Sequence, residues 1–88
     1  RIEGKSAIDI GDLDYVAEGA YEDYCSVSIW KEPGRGKYYI LIQDFVDKNS
    51  KILKTNSKRY AFFIAKKALR DLKRKYGRNK PLEYYGNI

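Results

Sequence analysis

A chain of 88 residues with a hydrophobic fraction of 43% can close one compact core and is too short for two ordinary domains. A single cysteine, Cys25, and the lack of any histidine exclude an internal disulfide and a Cys/His zinc site, and no apolar run approaches the roughly 20 residues that span a bilayer. The net charge of +6 is split: residues 1–24 hold two basic against seven acidic groups, a net −5, whereas residues 25–88 hold sixteen against five, a net +11.

Residues 1–9 show no clear period and read as an N-terminal arm; the chain contains no methionine, which suggests a removed initiator or a cut from something longer. Residues 10–77 are expected to form a single α+β domain, with residues 78–88 as a C-terminal tail that docks by its tyrosines. Between residues 10 and 24 the signals conflict. Leu13, Val16, Ala17 and Ala20 have helical spacing behind Asp9 or Asp12 as a cap, while Gly11 and Gly19 weaken a helix, so a short helix and an extended segment both stand.

A strand is expected over residues 24–31, where Cys25, Val27 and Ile29 alternate with Ser26 and Ser28. The run Glu32-Pro33-Gly34-Arg35-Gly36 reads as a hairpin turn. The second strand, residues 37–46, is apolar on both sides, with Tyr38, Ile40 and Ile42 alternating with Tyr39, Leu41 and Phe45; this predicts a central strand covered on both faces. A polar turn over residues 47–50 leads to a third strand over 51–55. The best-marked element is a helix over residues 57–76, bounded by Asn56, Ser57 and Gly77, with Ala61, Ile64, Ala65, Ala68, Leu69, Leu72 and Tyr76 as its core stripe. The predicted architecture is α+β: a three-stranded antiparallel sheet, the long C-terminal helix packed on one face, and the short N-terminal helix or extended segment over part of the rest.

Opposite that stripe, a helical wheel places Lys73, Lys66, Arg59, Arg70, Phe63, Arg74 and Lys67, six cations out of seven residues. A face that is merely solvated usually mixes signs, because opposite charges at i, i+4 stabilise a helix and like charges weaken it. Lys73 and Arg74 also suit the negative end of the helix dipole, which does not account for Arg59, Lys66 and Lys67. The crowding points to an external anion, nucleic acid first and anionic lipid headgroups as a weaker option. Arg35 and Lys37, at the hairpin tip, are added as candidate contacts, and Trp30, Tyr38 and Tyr39 are able to stack on bases if their sheet face is open. Phe63, alone among cations, fits a wedge, a stacking group or part of a partner contact.

The order of strands, with Ser57-Lys58-Arg59-Tyr60-Ala61 opening a helix that continues through Ala65, Lys67, Ala68 and Leu69, resembles a double-stranded RNA-binding domain. In that family a Lys-Lys-x-Ala-Lys run grips phosphates across the major groove. Lys58, Arg59 and Ala61 match it, and Phe62 stands in place of its last lysine. The resemblance implies that Lys58 joins the binding residues, that Arg35 lies in the loop which enters the minor groove, and that the family's first helix falls on residues 10–21. A similar sheet-plus-helix order occurs in the arm-type DNA-binding domains of tyrosine integrases.

Catalysis is not expected. Without histidine, acid–base work falls to carboxylates, lysine, tyrosine or Cys25. Asp44, Asp47 and Glu32 are the candidates for a magnesium site, but the two aspartates read first as turn and strand-end charges. Cys25 reads as a buried hydrophobe with a raised pKa, and Gly34-Arg35-Gly36-Lys37 lacks the length of a phosphate loop. The function expected is binding to the phosphate backbone of duplex RNA or DNA with little sequence specificity. Neither a cofactor, a metal nor a membrane span is expected, and the location is cytoplasmic or otherwise intracellular. The alternative is a small interaction or inhibitor module with an acidic protein partner, in which the acidic segment folds onto the basic helix.

Overall fold

The computed structural model describes residues 10–88, so the arm expected over residues 1–9 lies outside the described residues. A single 3-10 turn at Ile10–Asp12 precedes β1 (Asp14–Tyr21), β2 (Cys25–Lys31), β3 (Tyr38–Asp44), β4 (Asn49–Thr55), α1 (Lys58–Tyr76) and β5 (Tyr84–Gly86). The strands form one antiparallel sheet in the order β4-β3-β2-β1-β5. The expectation of three strands is therefore corrected to five, and the middle strand is β2 rather than β3. The extra strands come from the two stretches left unsettled: residues 14–21, where neither the short N-terminal helix nor the helix implied by the family resemblance is present, and the end of the tail.

One face of the sheet carries the core. Val27, Ile29 and Ile40 are fully buried against Ala61, Ala65 and Leu69 of α1, with Ile42, Leu53, Ile64, Ala68 and Leu72 around them. Burying side chains such as Ile29 and Ile40 contributes about 1.5–3 kcal/mol each. Cys25 is also fully buried, and burial pushes its thiol pKa up, as befits a small hydrophobe rather than a nucleophile.

On the helix side of β1, Gly19 is small for a steric reason. A Cβ on Gly19 would lie 2.5 Å from the Tyr84 hydroxyl and 2.8 Å from Leu69 Cδ1, so this glycine is a point of close approach rather than a helix breaker. A bulge between Tyr15 and Ala17 shifts the register, so that Tyr15 pairs with Trp30 and Ala17 with Ile29. The bulge turns Tyr15 to the opposite sheet face and keeps Ala17 under the helix. On the far side β5 is held through Asn87, whose amide donates to the Glu18 carbonyl at 2.8 Å and whose Oδ1 accepts from the Glu18 amide at 2.9 Å.

The second sheet face holds Tyr15, Ser26, Ser28, Trp30, Tyr39, Leu41, Gln43 and Ile52, by their pairing register. Among the described residues no helix covers this face, which corrects the expectation that β3 is enclosed on both sides. Its apolar character is partly met within the face itself: Tyr39 is 9% exposed and its hydroxyl donates to Glu32 at 3.0 Å, while Trp30 Nε1 donates to Ser28 Oγ at 2.9 Å. Phe45, expected on this face of the strand, lies beyond the end of β3 and is exposed.

Replacing Gly19 by valine is expected to destabilise the fold by about 1–3 kcal/mol, because Leu69 and Tyr84 must both give way. Urea unfolding followed by tryptophan fluorescence checks this through a lower midpoint at an unchanged slope.

Candidate nucleic-acid interface

The rotation of α1 about its axis decides which side chains face solvent, and both of its ends are pinned. At the N-terminus Ser57 has extended backbone and its Oγ accepts from the Tyr60 amide at 3.0 Å, as the sequence predicts for a cap. At the C-terminus the Tyr76 ring stacks on Tyr24 with centroids 5.6 Å apart. The Tyr76 hydroxyl donates to Asp44 Oδ1, Lys75 Nζ donates to Asp44 Oδ2 at 3.0 Å and to Asp47, and the amides of Val46 and Asp47 donate to Asp44 Oδ1. Burial pushes the Asp44 carboxyl up, but the Asp47 amide, the Tyr76 hydroxyl and the Lys75 ammonium outweigh it and hold its pKa down at about 2.

That cluster also answers the magnesium reading of the two aspartates. Asp44 and Asp47 share Lys75, whereas Glu32 sits beyond the other end of β3, where it pairs with Arg35 at 3.4 Å. Among the described residues no group of three or more Asp, Glu, Cys or His side chains comes close enough to hold a metal ion.

With the core stripe inward, Lys58, Arg59, Lys66, Lys67, Arg70, Lys73 and Arg74 are all exposed. Lys67 and Arg74 share Asp71 at 3.4 and 3.8 Å, and Lys73 lies over the Tyr21 ring at 6.0 Å. Among the described residues no carboxylate pairs with Lys58, Arg59, Lys66 or Arg70. The pairs made by Lys67, Arg74 and Arg35 are solvated and worth about 0–1 kcal/mol, so a polyanion displaces them at little cost.

Asp14 and Glu18 lie in β1 and Glu22 and Asp23 in the turn after it, and none of them pairs with these cations. Arg35 and Lys37 lie at the β2–β3 turn, at the same end of the sheet as the start of α1, because Tyr38 pairs with Thr55 just before the helix begins. Lys73 and Arg74 lie at the opposite end.

Surface clefts follow the helix. Tyr21, Lys66, Leu69, Arg70, Lys73, Tyr84 and Ile88 line one of about 360 Å³ on the β1–β5 side. Lys58, Arg59, Phe62, Phe63 and Lys66 line a second of about 560 Å³, and Ser57, Arg59, Tyr60 and Phe63 a third of about 420 Å³. Lys66 belongs to the first two and Arg59 to the last two, so the clefts make one track along a helix of 19 residues, about 28 Å long. Sequence reading did not include Tyr21, Tyr60 and Tyr84 among the site residues. The three-residue step from Tyr60 to Phe63 was a readable signal, whereas the approach of Tyr21 and Tyr84 depends on β5.

Of the aromatics proposed to stack on bases from the sheet, Tyr38 packs toward the helix core and Tyr39 is buried. Trp30 is half-buried on the open face and meets the exposed Tyr15 edge-on at 5.7 Å. No helix among the described residues is long and apolar enough to cross a membrane. Compared with protein-family models, curated proteins and solved structures, the chain matches none.

The depressed pKa of Asp44 gives a pH signature. Its carboxylate supplies stability that is fully present above its ordinary value of 3.8 and lost as pH falls through about 2. Acid titration of the fold, followed by circular dichroism, is expected to show a transition between about pH 4 and pH 2 that Asp44→Asn flattens. At pH 7 the same substitution is expected to cost about 1–3 kcal/mol in urea unfolding.

Proposed function

We propose that this chain binds the phosphate backbone of duplex RNA or DNA through the outer face of α1, with little sequence specificity. The observation that carries the reading is the row Arg59, Lys66, Arg70 and Lys73, exposed along one side of a pinned helix and without a carboxylate partner among the described residues. A cation held in water by its own fold gains little, whereas each phosphate it neutralises releases condensed counterions to solution. Long, flexible lysines and arginines read charge rather than base edges, and so position a duplex without selecting its sequence. Lys58, Lys67 and Arg74 widen the face, and Arg35 and Lys37 extend it at the end of the sheet where the helix starts.

A second reading, a protein-interaction module, is favoured by the open sheet face, where the Tyr15–Trp30 pair stands beside Leu41 and Ile52. An acidic segment closing over the basic helix has no support in the placement of residues 14–23. Those residues form an edge-side strand and its turn instead. Cutting them away would remove β1 and the strand that rests on it, so truncation does not discriminate between the two readings.

The charge-reversed pair Lys66→Glu and Arg70→Glu is expected to abolish duplex binding in a fluorescence titration while leaving the circular dichroism spectrum unchanged. With about six phosphate contacts, the unmodified chain is expected to lose on the order of a thousandfold in affinity between about 50 and 200 mM salt. Tight binding that survives the double reversal would remove the helix from the interface.

A further inference from the structure

Two aromatic side chains in the cationic track, Tyr60 and Phe63, lie outside the hydrophobic core. Phe63 is 59% exposed and Tyr60 53%, and neither belongs to the core or to the side chains packed around it. Single exposed hydrophobics are ordinary on any surface. These two differ in that they meet: their rings lie 5.9 Å apart with an interplanar angle of 17°, a stacked arrangement on the solvent side of the helix.

Their surroundings are equally specific. At 100° per residue, Phe63 projects from the middle of the cationic face, within about 20° of the directions of Arg70 and Arg74, and Tyr60 lies about 60° to one side. Phe63 forms a wall common to two clefts, one completed by Lys58, Arg59, Phe62 and Lys66 and the other by Ser57, Arg59 and Tyr60. An exposed stacked pair of rings bordered by two clefts, with Arg59 lining both, sets an aromatic surface beside a cation, the combination that takes a planar base with its phosphate. Every nucleobase has a π-face, so such a platform is indifferent to sequence. A base inside an intact duplex has its faces covered by its neighbours and cannot use it.

We propose that Tyr60 and Phe63 form a stacking platform for an unpaired nucleobase, so that the helix prefers a duplex carrying a single-stranded overhang to a blunt one. The proposal rests on the backbone-binding reading and deepens it. The cations from Lys66 to Arg74 hold the phosphates of the paired part, and the aromatic pair, one to two turns nearer the start of α1, holds the first base beyond it.

The test is a fluorescence titration of the full chain with a blunt duplex and with the same duplex bearing an overhang, in DNA and in RNA, at constant salt. The overhang is expected to bind about fivefold to a hundredfold more tightly, the range for one stacked base. Phe63→Ala should erase that preference, leave blunt-duplex affinity within about twofold and leave the salt dependence unaltered, since no charge is removed. Phe63→Trp should restore it. Equal affinity of the unmodified chain for both duplexes overturns the platform and leaves backbone binding standing, whereas no binding to either at low salt removes both. If light scattering shows that Phe63→Ala turns an oligomer into a monomer, the patch is a contact between copies of this chain and the platform is likewise overturned.

Discussion

The contact between the stripe Ala61, Ala65 and Leu69 and the row Val27, Ile29 and Ile40 governs the rest of this molecule. An α-helix repeats every 3.6 residues, so choosing the residues that go inward also chooses those that stay outside. Here the inward set contains two alanines, which bring the helix down onto a sheet whose own helix-facing positions include Ala17 and Gly19. The outward set is then Arg59, Phe63, Lys66, Lys67, Arg70 and Arg74, and no rotation of the helix buries the first set without presenting the second.

Among the described residues, the acidic groups of the N-terminal stretch pair with none of those cations. Its residues from Asp14 onward are spent on a strand that pairs with β2 on one side and β5 on the other. Like charges one helical turn apart destabilise by a few tenths of a kcal/mol per pair, which a fold closed by several fully buried aliphatic side chains tolerates. Among the described residues, Lys75 is the cation held by two carboxylates: it faces Asp44 and Asp47 and locks the end of the helix to the β3–β4 turn. The division is physical: Lys75, which holds the fold, has two carboxylates, whereas Arg59, Lys66 and Arg70, at the centre of the proposed interface, have none among the described residues.

Much of this was legible beforehand. The alternation of Cys25, Val27 and Ile29, the turn at Pro33 and Gly34, and the period of the helix stripe gave β2, β3, β4 and α1 with bounds close to those observed, because each is regular over its length. Two strands were not legible. In β1 the bulge at Val16 breaks the alternation, so Val16, Ala17 and Ala20 acquired a helical spacing by accident, and Gly19 looked like a defect until Leu69 and Tyr84 were seen to need the space. A three-residue strand such as β5 has no period to read; it exists because Tyr84 and Gly86 find partners on Tyr21 and Gly19. The candidate site fared better where it lay on one element and worse where it needed two. The helix cations follow from a wheel, whereas the cleft shared by Tyr21, Tyr84 and Lys73 is a product of the sheet edge.

The account stands or falls on whether the unpaired cations meet phosphates. The most direct measurement is the slope of log affinity against log salt for duplex DNA, compared between the unmodified chain and a variant with Lys66 and Arg70 both changed to glutamine. Two phosphate contacts removed should lessen the slope by roughly 1.8, at about 0.9 per contact. A slope identical in the two proteins would mean that these side chains touch no phosphate, and would contradict the account.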